Sequence, residues 1–272
     1  MKANAFNGLK LLCTVVLAAT LAACGSMQSG SMQSGSSSAG SKASAGGGGN
    51  LAAALASANR PAEDKARDAD RKPAELLQFF GVKPGMTTVD IIALGGYITE
   101  ALSVAVGPNG KVYAQNPPVA LQLSDGMYAK AITDRLANNR LTNVVRVDGD
   151  LPASAQIPAG SVDVAIIAMN YHDVRNQAGE QAVGFLKAAN VMLKPGGVLG
   201  VTDHHGNDGA DNTQLHRMPK HFLIEDAKAA GFVVEAESDM LAHPADDHTK
   251  VVFDPTLRGK TDQFVVRLRK PK

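Results

Sequence analysis

The residues best suited to chemistry in this chain are four histidines and two aspartates gathered into three short stretches: His172-Asp173, Asp203-His204-His205 and His216-Arg217. An imidazole titrates near neutrality, so it can take the proton of an oxygen or nitrogen nucleophile, and a neighbouring carboxylate can fix its tautomer. His172 is the first candidate for such a base, with Asp173 or Asp203 to orient it and His204 close by. Tyr171 and His216 are candidates for substrate contacts. Arg217 could grip an acidic acceptor through its fork of donors. Asp173 and Asp203 would serve equally well as helix caps and loop ties. Imidazole and carboxylate also suit zinc or manganese. No HExxH or comparable spacing is present, and ligands would have to converge from separate loops, so no metal is assigned. Asp246-Asp247-His248 reads as a solvated loop, and His221 and His243, with no partner pattern, are expected at the surface.

The rest of the composition removes other chemistries. Lys and Arg total 27 against 26 Asp and Glu, so no basic excess points to nucleic acid. Only two cysteines occur, Cys13 and Cys24. A disulfide framework, a cysteine-ligated zinc and a catalytic thiolate are therefore excluded from the main domain.

Both cysteines lie in a segment that reads as an address. Lys2 and Lys10 precede an apolar run, Leu11 to Leu21, that is too short to span a bilayer but suits a signal peptide. The run ends in Leu21-Ala22-Ala23-Cys24, which resembles the bacterial lipobox, with Cys24 as the lipidated first residue of the mature chain. Residues 1–23 are then a lipoprotein signal. Their loss leaves 25 bases against 26 acids, so acyl chains rather than a basic patch would hold the protein on a membrane. In the lipoproteins that this segment resembles, Gly25 and Ser26 after the cysteine, with no Asp, would favour the periplasmic face of the outer membrane. Residues 24–50, nearly all Gly, Ser, Ala, Met and Gln with Ser-Met-Gln-Ser-Gly twice, read as a flexible tether.

Residues 51–272 must supply the scaffold. Apolar, β-branched runs at 87–94, 111–116, 143–148, 162–169, 197–203, 232–238 and 263–269 predict strands. Between them, 99–106, 124–139, 179–193 and 219–230 predict helices. Before the first strand, 51–59 is helical in propensity, and Pro73 opens a helix through Phe80 that Gly81 stops. The last strand alternates Phe264, Val266 and Leu268 against Val265, Arg267 and Arg269. Repeated strand–helix units imply a doubly wound, mostly parallel α/β sheet covered on both faces. Ligands of such sheets bind at the carboxyl ends of the strands. All three histidine stretches follow predicted strands.

Several stretches together resemble the class I S-adenosylmethionine-dependent methyltransferases, and more closely a bacterial group of predicted, often exported, members. They are VDIIALGGYITE (89–100), LKPGG (193–197), Asp203-His204, Leu215-His216-Arg217, Ala229-Ala230-Gly231-Phe232, Asp246-Asp247-His248 and Arg258-Gly259-Lys260-Thr261-Asp262. The resemblance implies a Rossmann-like seven-stranded sheet with its last strand antiparallel. It implies S-adenosylmethionine as cofactor and an unknown small or envelope-associated methyl acceptor. The cofactor residues carried over are Asp90, Gly95 and Gly96 after the first strand, Asn116 at the ribose, and Asp150 at the adenine amino group. Three positions depart from the family pattern: Ile92 and Leu94 stand where glycines are usual, and Asn116 where an acid is usual. A non-catalytic binding lipoprotein of the cell envelope is therefore the alternative reading.

Overall fold

The computed structural model describes residues 49–151 and 156–272. The expected signal, the Cys24 lipid site and most of the tether lie outside the described residues.

Seven strands form one sheet in the order β3-β2-β1-β4-β5-β7-β6. β1 (Thr87–Ile91) is flanked in parallel by β2 (Lys111–Asn116) and β4 (Val162–Ala168), and β3 (Val144–Asp148) pairs outside β2. β5 (Leu193–His204) lies parallel to β4, and β7 (Gln263–Arg269) runs antiparallel between β5 and β6 (Val233–Ser238). The chain winds outward from β1 to β3, then returns to β4 on the other side. The β1/β4 junction is thus the switch point, the place at the strands' carboxyl ends where sheets of this kind bind ligands.

The sheet buries both faces. Along β4, Val164 and Ile166 enter one apolar cluster with Leu77, Phe80 and Leu102, while Ala165 and Ile167 enter the other with Leu186 and Leu223. That is the two-residue period of a strand covered on both sides. The expected one-sided alternation of the last strand does not hold: Phe264, Val265, Val266 and Leu268 are all buried. The reason is position, since β7 is an interior strand rather than an edge.

Helix boundaries differ from expectation where the backbone turns early. β1 ends at Ile91, not 94, because Ile92 already has φ +55°. α1 (Gly49–Ser57), α2 (Ala62–Ala66), α3 (Asp68–Arg71) and α4 (Pro73–Phe79) precede β1. α5 (Tyr97–Val106) follows it, and α6 (Pro118–Leu136) follows β2 with a break in which Ser124, Asp125 and Gly126 take positive φ. α7 (Tyr171–Ala178) was not expected, for YHDVRNQA carries little apolar periodicity. α8 (Ala182–Met192), α9 (Asn212–Leu215) and α10 (Lys220–Ala229) complete the helices. At Gly200 of β5 a Cβ would lie 2.5 Å from the Phe80 ring, so glycine is what lets the residue after α4 seat on the sheet.

Candidate active site at the carboxyl edge of the sheet

Two constellations meet at this edge. The first is the loop after β1, residues 92–96. Ile92, Leu94 and Gly96 have φ of +55°, +49° and +83°. The loop therefore keeps the left-handed curl that glycines usually supply, with branched side chains at two of the three positions. Each such residue costs ~1–2 kcal/mol. The cost is offset by side chains from the end of β2. Gln115 Oε1 accepts the Ile92 N–H at 3.2 Å, and Asn116 Oδ1 accepts the Leu94 N–H at 2.7 Å. Asn116 Nδ2 also reaches Leu94 O at 3.3 Å, and Ala93 N–H donates to Gln115 O at 2.9 Å. At ~0.5–1.5 kcal/mol each, the three side-chain bonds and this one main-chain bond match the strain of two residues.

The expected cofactor residues take up unexpected work. Asn116 is fully buried and spends both ends of its amide on Leu94, so the residue assigned to the ribose closes the loop instead. Asp90 is buried, and its Oδ2 accepts the Thr99 hydroxyl at 2.6 Å, tying β1 to the first turn of α5. Burial pushes this carboxyl up to about 7. Gly95 and Gly96 are required by α6: a Cβ on Gly96 would lie 2.8 Å from both Ile132 and Arg135, and one on Gly95 3.2 Å from Ala131. Arg135 Nε donates to Gly95 O at 2.6 Å, and its guanidinium pairs with buried Glu100 and Asp64. Asp150 is exposed beyond β3.

The second constellation is built on the ends of β4 and β5. Asn170 precedes α7 and donates from Nδ2 to Ile92 O at 3.2 Å, which joins the two constellations. Asp203, completely buried at the end of β5, accepts the His172 N–H on Oδ2 at 2.8 Å. Its Oδ1 lies 2.6 Å from His172 Nδ1 and also accepts the His204 N–H at 2.8 Å. Of the two aspartates considered, Asp203 is the one that orients His172. Nδ1–H donation to it leaves a lone pair on Nε2, 3.4 Å from Asp173 Oδ1. His216 Nδ1 approaches the same Asp173 oxygen at 3.2 Å. Burial opposes the charged form of His172, but Asp203, with Asp173 beyond it, outweighs burial and raises the imidazole above its ordinary value. Burial likewise opposes ionised Asp173, and the hydrogen bond from His216 with the charge of His172 overcomes it, lowering the carboxyl. His204 sits beside His172, ring centroids 5.9 Å apart, and burial pushes it down to about 3. It is a neutral imidazole whose buried Nδ1 has no hydrogen-bond partner.

Two expected substrate contacts are corrected. Tyr171 is fully buried, and its hydroxyl donates to Asp226 Oδ2 at 2.9 Å, pinning α7 to α10. Arg217 is also fully buried. It donates to Lys250 O at 2.9 Å and His205 O at 3.0 Å, and pairs with Asp246 Oδ2 at 2.9 Å. Its whole fork is used inside the protein, leaving nothing for an acceptor. Asp246 is correspondingly buried rather than solvated, and it also accepts the Asp262 N–H at 2.7 Å. His248 lies between Asn207 and Asp262, at 3.1 and 2.9 Å. The C-terminal motif residues thus form the framework beneath the histidine cluster. Of the other two histidines, His221 is exposed and His243 half-buried.

Reasoning from sequence missed Gln115 and Asn170, which clamp the loop. Both are amides with no local pattern; Asn170 alone had a signal, standing between a strand and an acidic residue suited to a helix start.

Sheet order, the antiparallel β7 and the flanking helices define the Rossmann-like fold of the class I methyltransferases. No protein-family model matches the chain. No curated protein matches it either. Solved structures do. A SAM-dependent methyltransferase from Aquifex aeolicus is 21% identical with a TM-score of 0.53, covering 73% of this chain and 89% of that one. An arsenic(III) S-adenosylmethionine methyltransferase from Chlamydomonas reinhardtii is 17% identical at 0.50, covering 82% and 73%. The cyclase SpnF is 18% identical at 0.53, covering 75% and 81%. Likeness at this level establishes the fold, and a cyclase among the neighbours means that activity has to be argued from the site.

Proposed function

We propose that this protein transfers a methyl group from S-adenosylmethionine to an oxygen or nitrogen of a small or envelope-associated acceptor. The observation that carries this reading is the two-point attachment of His172 to Asp203 at the ends of β4 and β5, joined to the loop after β1 through Asn170. It supports a proton-accepting nitrogen at the carboxyl edge of the sheet, where ligands of such folds bind. The curl of residues 92–96 fits the methionine end of the cofactor, and Asp150 is free for the adenine amino group. When bound, the cofactor supplies an electrophilic methyl group. Asp203 holds His172 in the tautomer that leaves Nε2 free, Nε2 receives the acceptor's proton, and Asp203 stabilises the imidazolium. Asp173 and His216 form the mouth of the acceptor site.

The ribose contact is the weak point. A charged hydrogen bond there is worth ~1.5–3 kcal/mol, so its absence costs roughly one to two orders of magnitude in affinity. Calorimetric titration with S-adenosylmethionine and S-adenosylhomocysteine tests the reading. Weak but saturable binding is expected, retained in His172→Ala while methyl transfer is lost. No heat at millimolar ligand would instead establish the second reading, a non-catalytic binding protein on this fold, which the closure of Asn116 onto Leu94 favours.

We further propose that the chain is exported and lipid-anchored at Cys24 in the bacterial envelope. The support is the basic start, the apolar run and Leu21-Ala22-Ala23-Cys24. Radiolabelled palmitate should mark the full chain and not Cys24→Ser; label on the variant would remove the proposal.

A further inference from the structure

We infer that His172, Asp173 and His216 form a binding site for one divalent first-row transition-metal ion, of which zinc fits best, with Asp203 as the carboxylate behind the first imidazole. One ligand atom from each of the three residues lies within 4.8 Å of the other two. His172 Nε2 lies 3.4 Å from Asp173 Oδ1, and His216 Nδ1 lies 3.2 Å from the same oxygen. Zinc bonded to nitrogen and oxygen at ~2.0–2.1 Å in a tetrahedron requires ligand–ligand edges of about 3.3 Å. An octahedral ion with similar bonds requires edges of about 3.0 Å. Both edges at Asp173 fall nearer the tetrahedral value, and the two imidazole nitrogens lie within 4.8 Å of each other.

The surroundings agree with that assignment. Metal-bound histidines characteristically donate their second ring nitrogen to a carboxylate, which fixes the tautomer and raises ligand basicity. His172 Nδ1 does this to Asp203 Oδ1 at 2.6 Å. With that proton on Nδ1, the Nε2 lone pair faces a carboxylate oxygen at a distance too long for a good hydrogen bond, so a cation belongs between them. The candidates are a second proton on His172 and a metal ion, and the ion would find a third ligand in His216 Nδ1, which would exchange its hydrogen bond to Asp173 for the metal. Beside the cluster, His204 adds a buried Nδ1 with no partner. The side chains of Asp173 and His216 are 42% and 26% exposed, so three protein ligands leave a coordination position open to water or an acceptor, as catalytic zinc sites do.

This inference goes beyond methyl transfer and does not depend on S-adenosylmethionine. It touches the proposed function at one point: the Nε2 lone pair cannot hold both a proton and an ion. With the ion bound, His172 would serve as a ligand rather than a base, and the chemistry the metal would supply is to acidify an acceptor's own O–H or N–H.

The test is zinc itself, added to the full-length protein after chelator treatment and dialysis, followed by calorimetry and elemental analysis. One equivalent should bind. Asp173→Asn and His216→Ala, both at the partly open side of the site, should each weaken binding at least about 100-fold, and Asp203→Asn about 10–100-fold. His221→Ala, at the surface, should bind as the parent does. X-ray absorption of the zinc form should show a nitrogen and oxygen shell with imidazole scattering. Absence of binding at millimolar zinc overturns the site, as does binding that Asp173→Asn and His216→Ala both leave unchanged. Neither outcome bears on cofactor binding, which the S-adenosylmethionine titration reads separately.

Discussion

Asn116 Oδ1 accepts the Leu94 N–H at 2.7 Å, and Nδ2 of the same amide reaches Leu94 O at 3.3 Å. One buried side chain thus satisfies both backbone groups of a residue held at φ +49°. The curl of the loop is kept without the glycine that would adopt it freely.

Replacing Asn116 with Ala leaves the part-buried Leu94 N–H without its partner, and loss of ~1–3 kcal/mol of stability is expected. Urea denaturation measures it. Leu94→Gly acts differently, because it removes left-handed strain and a side chain from the loop together. Its stability should stay within ~1 kcal/mol of the parent, while S-adenosylmethionine binds several-fold more tightly in calorimetry. An unchanged affinity would show that the Leu94 side chain does not occupy cofactor space.

Gly96→Ala should be far more costly than an ordinary surface change. The residue sits at φ +83°, and its Cβ would meet Ile132 and Arg135 at 2.8 Å. Backbone strain plus overpacking predicts a loss of ~2–4 kcal/mol, read as a lowered thermal midpoint. Gly85, at φ +81° with nothing within 4 Å of its Cβ, is the control. It should lose only the strain component.

Arg217→Ala distinguishes framework from substrate contact. Its guanidinium and the Asp246 carboxylate are both fully buried, so removing one charge strands the other. Destabilisation of ~3–5 kcal/mol is expected. A variant as stable as the parent that merely raised KM for an acidic acceptor would restore Arg217 to the site.

Asp90 makes stability depend on pH in the direction opposite to most carboxylates. Burial lifts its pKa from 3.8 to about 7 in the fold. Between these values the folded chain binds the proton more tightly than the unfolded chain, so stability falls as pH rises from about 4 to about 7. Above that range the full penalty of the buried charge remains. Asp90→Asn keeps an acceptor for Thr99 and removes the charge. It should flatten this part of the stability profile and exceed the parent near pH 8 by on the order of 1–4 kcal/mol. Denaturant midpoints across this pH range check the sign.

Much of the scaffold was legible because it rests on local pattern. Every strand was anticipated from apolar or alternating runs, and Pro73 and Gly81 marked the ends of α4 through φ preferences that operate within a few residues. α7 escaped because its helix is held by Asp203 and Asp226 from distant strand and helix, not by a periodic apolar face. The same limit governed the site. That Asp203 rather than Asp173 orients His172 depends on β4 and β5 being neighbours in the sheet.

Taken by itself, the order of residues determined the fold class, the absence of thiol chemistry from the main domain, and the placing of the histidine stretches after strands. These follow from hydrophobic period, composition and turn chemistry, which act over short separations. The tertiary structure decided what each polar side chain is for. It turned Asn116 and Arg217 inward and brought His216 to Asp173 across 43 residues of chain. A buried polar group must pair with whatever the fold places beside it, and that partner is set by strand order and helix packing rather than by its neighbours in sequence.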